Sequence, residues 1–151
     1  MEFNELIASF AMRHNVADLV VKDGTTALDI DGIVVNIVSE EDMLIFTSDI
    51  GEPPAEGIAV FANLLLEANL QSEAFFAKLP DAETYIVVRR LLLSSLDDVA
   101  FDVALEAFVH QTETWRRLLV DFRPAAQSSD ERVEAESLSL PSFGSNRFLQ
   151  V

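Results

Sequence analysis

The sequence predicts a single α+β domain in the order α-β-β-β-α-β-β-α, a twisted antiparallel sheet covered by helices. Three observations carry that prediction. Residues 25–54 hold three apolar runs rich in β-branched and aromatic residues, 27–30, 33–38 and 43–47, joined by turn chemistry of two to four residues. Stretches of helical period stand before, after and well beyond this meander. The length, 151 residues, fits one domain with a core of its own.

The first helix is expected over residues 2–14, where Phe3, Leu6, Ile7, Phe10 and Ala11 form one stripe. Asn15 is a plausible stop. In the meander, Leu28 and Ile30 point to one side, and Ala27, Asp29 and Asp31 to the other. The second and third runs are apolar on both sides, so the sheet is expected to need a cover on each face.

Pro53-Pro54 break the third strand and open a helix over residues 55–70. Ile58, Phe61, Ala62 and Leu65 lie on one face of it, and Val60, Leu64 and Ala68 extend the apolar surface to a second. A helix apolar nearly all round must be covered on both sides, which makes it the candidate two-fold interface. Residues 73–79 and 84–93 are strand-like around the turn Pro80-Asp81-Ala82-Glu83.

Ser95-Leu96-Asp97-Asp98 resembles a capping box for a long helix over residues 96–122. Phe101, Leu105, Phe108, Thr112, Trp115, Leu119 and Phe122 give that helix a continuous stripe, expected to supply the sheet's second cover. Arg116, Arg117 and Arg123 near its end complement the helix dipole. The composition then changes. A domain of residues 1–123 is followed by a Ser-rich stretch, 124–151, expected to be a flexible tail.

Composition excludes several classes of function. With 26 acidic against 10 basic residues the net charge is −16, which repels a phosphate backbone. No cysteine is present, so neither disulfides nor thiolate metal sites form. No apolar run reaches bilayer length and the first residues lack the pattern of a secretory signal, so a cytoplasmic location is expected.

The catalytic inventory is close to empty. His14 and His110 read as partly buried structural histidines. Asp29-Ile30-Asp31-Gly32 lacks the later ligands of a calcium loop, and no glycine pattern cradles phosphate. No catalytic residue, metal ligand or cofactor is expected.

Six pieces in order carry a family resemblance: Leu28-Asp29-Ile30-Asp31; Asp49-Ile50-Gly51-Glu52-Pro53-Pro54; Leu64-Leu65-Leu66-Glu67-Ala68-Asn69-Leu70; Pro80-Asp81-Ala82-Glu83-Thr84; Arg90-Leu91-Leu92-Leu93; and Leu105-Glu106-Ala107-Phe108-Val109 leading to Glu113-Thr114-Trp115-Arg116. Over about residues 3–120 the chain resembles the class I type III secretion chaperones, the Tir-chaperone family. The resemblance implies a non-enzymatic bacterial homodimer. It would hold the N-terminal region of secreted effectors in extended form, soluble and ready for export. The secretion ATPase is a further candidate partner.

By that resemblance, Phe3, Ile7, Phe10, Leu28, Ile30, Val35 and Leu44 are the candidate effector-binding residues. Ile58, Phe61, Leu65 and Phe75 are the candidate dimer contacts. A dimeric adaptor that titrates a partner is the alternative, and an acidic hydrolase is a third reading from another class.

Overall fold

The computed structural model describes residues 1–124, so the serine-rich stretch read as a tail lies outside the described residues. Helix α1 (Phe3–Arg13) is followed by strands β1 (Thr25–Ile30), β2 (Ile33–Glu40) and β3 (Met43–Gly51). Helix α2 (Ile58–Asn69), strands β4 (Ala74–Lys78) and β5 (Tyr85–Leu92) and helix α3 (Asp98–Asp121) complete the predicted order. The strands form one antiparallel sheet in the order β1-β2-β3-β5-β4.

Local chemistry sets the register. Asp31 (φ 52°) and Gly32 (φ 83°) make a two-residue turn that pairs Ile30 with Ile33. Both central residues lie at positive φ, the turn whose twist matches that of paired strands. Asn15, at φ 52°, ends α1 as expected.

All three helices pack on the same face of the sheet. Phe10 meets Phe101, which meets Phe46, which meets Phe108, each edge to face at ring separations of 5.5–5.8 Å. Farther along α3, Trp115 joins Phe61 of α2 to Phe76 of β4. Leu44, Phe46, Ser48 and Ile50 of β3 point into this core. Buried hydroxyls have partners: Ser48 Oγ donates to Val34 O (2.8 Å) and Thr112 Oγ1 to Phe108 O (2.8 Å).

Three expectations are corrected. Among the described residues the sheet is covered on one face only, because α3 joins the other helices; Met43, Ile45, Thr47, Phe75 and Ile86 are left half-buried on the far face. Helix α2 begins at Ile58, not residue 55, after Gly57 at φ 72°; the two prolines stay in the connection. The cap of α3 is Asp97, whose Oδ1 accepts Ala100 N–H at 2.7 Å, while Ser95 donates its hydroxyl to Leu92 O within a short 3-10 turn.

Candidate functional site, a groove beside the open sheet edge

Among the described residues no strand pairs with the outer side of β1, where only Lys22 bridges Thr25 at the start of the strand. Beside it runs a groove of about 1150 Å³, bounded by β1, the loop of residues 16–20 and the flank of α3. Phe10, Leu19, Leu28, Ile30, Leu105 and Val109 give it an apolar floor. Its rim is acidic: Asp18, Asp29, Asp31, Asp102, Glu106 and Glu113 line it, and among the described residues no lysine or arginine does.

Helix α3, which packs on β3 and β2, is held beside the groove from both ends. Arg13 at the end of α1 forms ion pairs with Asp98 and Asp102 of α3, each at 2.7 Å. Ser9 Oγ donates to Asp98 Oδ2 at 2.9 Å. Arg116 donates to Asp49 O (2.7 Å) and Gly32 O (3.2 Å), tying the other half of α3 to the β1–β2 turn and the end of β3. That arginine was expected to answer the helix dipole, but its reach across to strand carbonyls is what the structure uses.

Both histidines are exposed, against the expectation of partial burial. His14 sits one residue past α1, where its ring lies 4.5 Å from that of Phe10 and Nε2 is 3.0 Å from Asp102 Oδ2. His110 falls off the buried stripe of α3 and lines the groove. Partial desolvation acts to raise the Asp102 pKa, but hydrogen bonds from His14 and Arg13, with their charges, hold it below the usual carboxylate range.

Of the residues proposed from sequence to touch a client, Phe10, Leu28 and Ile30 line the groove. Phe3, Ile7, Val35 and Leu44 are enclosed in the chain's own core. On α2, Phe61 and Leu65 are likewise buried, Phe61 against Tyr85, Trp115 and Phe122. Ile58 is exposed and Phe75 half-buried. Apolar groove residues that the sequence reading did not assign to a client are Val16, Leu19, Val109 and Leu105, the last read only as part of the buried stripe of α3. The first two belong to an irregular loop without period. Val109 falls outside the dominant stripe of α3, although it follows Leu105 by one helical turn.

Residues 5–116 match the profile of the Tir chaperone protein (CesT) family. The chain belongs to that family. The type III secretion chaperone SycH of Yersinia pestis, solved with a fragment of YscM2, shares its fold: TM-score 0.62, 18% identity, 76% of this chain and 99% of the other covered. The HopA1–SchA chaperone–effector complex aligns at TM-score 0.62, 16% identity, 76% of this chain and 93% of the other covered. The ExoU–SpcU complex of the Pseudomonas aeruginosa type III secretion system aligns at 0.60 and 17%, with 75% and 97% covered. No curated protein sequence matches. Among the described residues of this Tir-chaperone family member, no helix is long and apolar enough to cross a membrane, and no group of three or more metal-ligating side chains occurs.

Proposed function

We propose that this chain is a dimeric chaperone that binds the N-terminal region of type III secretion effectors in extended form and keeps them soluble and ready for export. In this reading it works in the bacterial cytoplasm by binding, not catalysis. The observation that carries it is the pairing of an open strand edge, β1, with an apolar-floored groove, in a member of the Tir-chaperone family. An extended segment added beside β1 gains main-chain hydrogen bonds from the strand and buries alternate side chains on the floor. Solved structures of this fold include a chaperone–effector complex, HopA1–SchA.

The dimer runs through the solvent face of α2. Ile58, Ala62, Leu66 and Leu70 follow one another at four-residue spacing, and Ile58, Leu66 and Leu70 are each more than half exposed in the single chain. A second copy covers this apolar stripe across a two-fold axis.

The test is hydrogen exchange of the protein with and without a co-expressed N-terminal effector fragment. Protection should rise along β1 and in the loop of residues 16–20. Val109→Asp, which puts a charge on the groove floor, should abolish capture while leaving the dimer intact. Protection confined to another surface, or capture unaffected by Val109→Asp, would falsify the assignment.

A further inference from the structure

The groove also carries information about which extended segments it accepts. Strand side chains alternate, so Ala27 and Asp29 share one face of β1, and Leu28 and Ile30 share the other. Asp31, in the turn that follows, also lines the groove. On the second face lie Leu105 and Val109 of α3. A strand laid beside β1 therefore meets two different surfaces: apolar floor on one side, and on the other the Asp29 carboxylate with that of Asp31 at the turn beyond it.

The carboxylates are open to a partner. Asp31 is exposed and forms no ion pair or side-chain hydrogen bond among the described residues. Asp29 is exposed and uses one oxygen, Oδ1, to accept Gly32 N–H at 2.9 Å. Arg13, beside the groove, is already engaged by Asp98 and Asp102. Opposite charges directly across neighbouring strands stabilise the pair, and like charges oppose it.

Resting on the client-binding reading above, we propose that the groove selects an extended segment in which apolar residues alternate with lysine or arginine, the basic side chains standing opposite Asp29 and Asp31. Charge complementarity at the strand edge sets the choice among clients, and the floor supplies the common affinity.

The experiment uses the full chain and three fluorescent synthetic peptides of about ten residues, the length of a long strand. All alternate leucine or valine with a second residue, which is lysine, serine or glutamate. At low salt the lysine peptide should bind roughly three- to tenfold tighter than the serine peptide, and the glutamate peptide should be weaker by a similar factor, since exposed ion pairs contribute about 0.2–1 kcal/mol each.

A net charge of −16 attracts any cation, so local and overall charge must be separated. Asp29→Asn with Asp31→Asn keeps the turn acceptor and the tolerance of positive φ while removing two charges at β1. Asp81→Asn with Glu83→Gln removes two charges from the β4–β5 turn, at the far edge of the sheet. The first pair should reduce the lysine preference to within about twofold, and the second should leave it in place. Equal binding of the three peptides, or equal behaviour of the two double variants, overturns the selection and leaves client binding standing. No binding of any peptide overturns both.

Discussion

The carboxamide of Asn69, on the last turn of α2, holds both backbone groups of Phe76: Asn69 Nδ2 donates to Phe76 O at 3.1 Å, and Phe76 N–H donates to Asn69 Oδ1 at 2.6 Å. One side chain thus supplies at Phe76 the two bonds a neighbouring strand would make there. An exposed strand edge is a template for pairing with other chains. At the β1 edge Lys22 bridges Thr25, and among the described residues no strand pairs beyond it, which leaves the stretch from Ala27 onward for an incoming segment to join.

Asn69→Ala leaves both Phe76 groups without their partner. Urea unfolding should show a loss of about 1–3 kcal/mol, and the Phe76 amide should exchange faster. Unchanged stability and unchanged exchange would show that the two bonds do not hold β4 at Phe76.

Leu66→Asp and Leu70→Asp change side chains that are exposed in the single chain. Light scattering should show the mass falling from twice the 16.7 kDa chain to one chain, with native circular dichroism retained. Phe61→Asp should instead unfold the protein, because it places a charge among Tyr85, Trp115 and Phe122 at a cost of several kcal/mol or more. A dimer that survives both leucine substitutions excludes α2 as the interface.

Two carboxylates tie stability to acid pH. Asp42 accepts Ser94 Oγ–H at 2.6 Å and Ser94 N–H at 2.8 Å, and these bonds hold its pKa below the ordinary aspartate value of 3.8. Asp102 is lowered by His14 and Arg13 against its own desolvation. A depressed folded-state pKa adds stability that is present above the unfolded value and lost as pH falls through the folded one. Melting temperature should therefore decline below about pH 4. Asp42→Asn and Asp102→Asn should each flatten that decline, and Ser94→Ala should bring the Asp42 titration measured by carboxyl NMR back toward 3.8. Identical acid profiles for wild type and variants would show that neither carboxylate contributes.

Gly57→Ala meets two obstacles. The backbone stands at φ 72°, and an added Cβ falls 2.8 Å from Pro124 Cβ and 3.1 Å from Phe122 Cε1. Strain and overpacking together should cost about 2–4 kcal/mol, read as a lower urea midpoint with an unchanged slope. Loss of less than about 0.5 kcal/mol would mean the α3 end yields without cost.

The elements were legible because their signals are local. Asp31-Gly32 fixes a hairpin by backbone sterics, and the stripe from Phe101 to Trp115 fixes which side of α3 is buried. The groove was legible only in part. Phe10, Leu28 and Ile30 stood out as apolar residues in regular elements, while Val16 and Leu19 sit in a loop whose shape no period reveals. Phe3, Ile7, Val35 and Leu44 carry the same apolar signature as Leu28, and hydrophobicity alone does not separate a core side chain from one lining a groove.

The sequence by itself determined the order of helices and strands, their turns, the acidic surface and the family, because each depends on residues near one another along the chain. Only the tertiary structure decided that all helices share one face of the sheet, that Asn69 holds the outer side of β4 at Phe76, and that Phe61 points inward while Leu66 faces out. Those outcomes depend on which faces meet across long stretches of chain. Apolar stripes of similar composition can satisfy that packing in more than one way, and the competition among them is settled by shape in three dimensions.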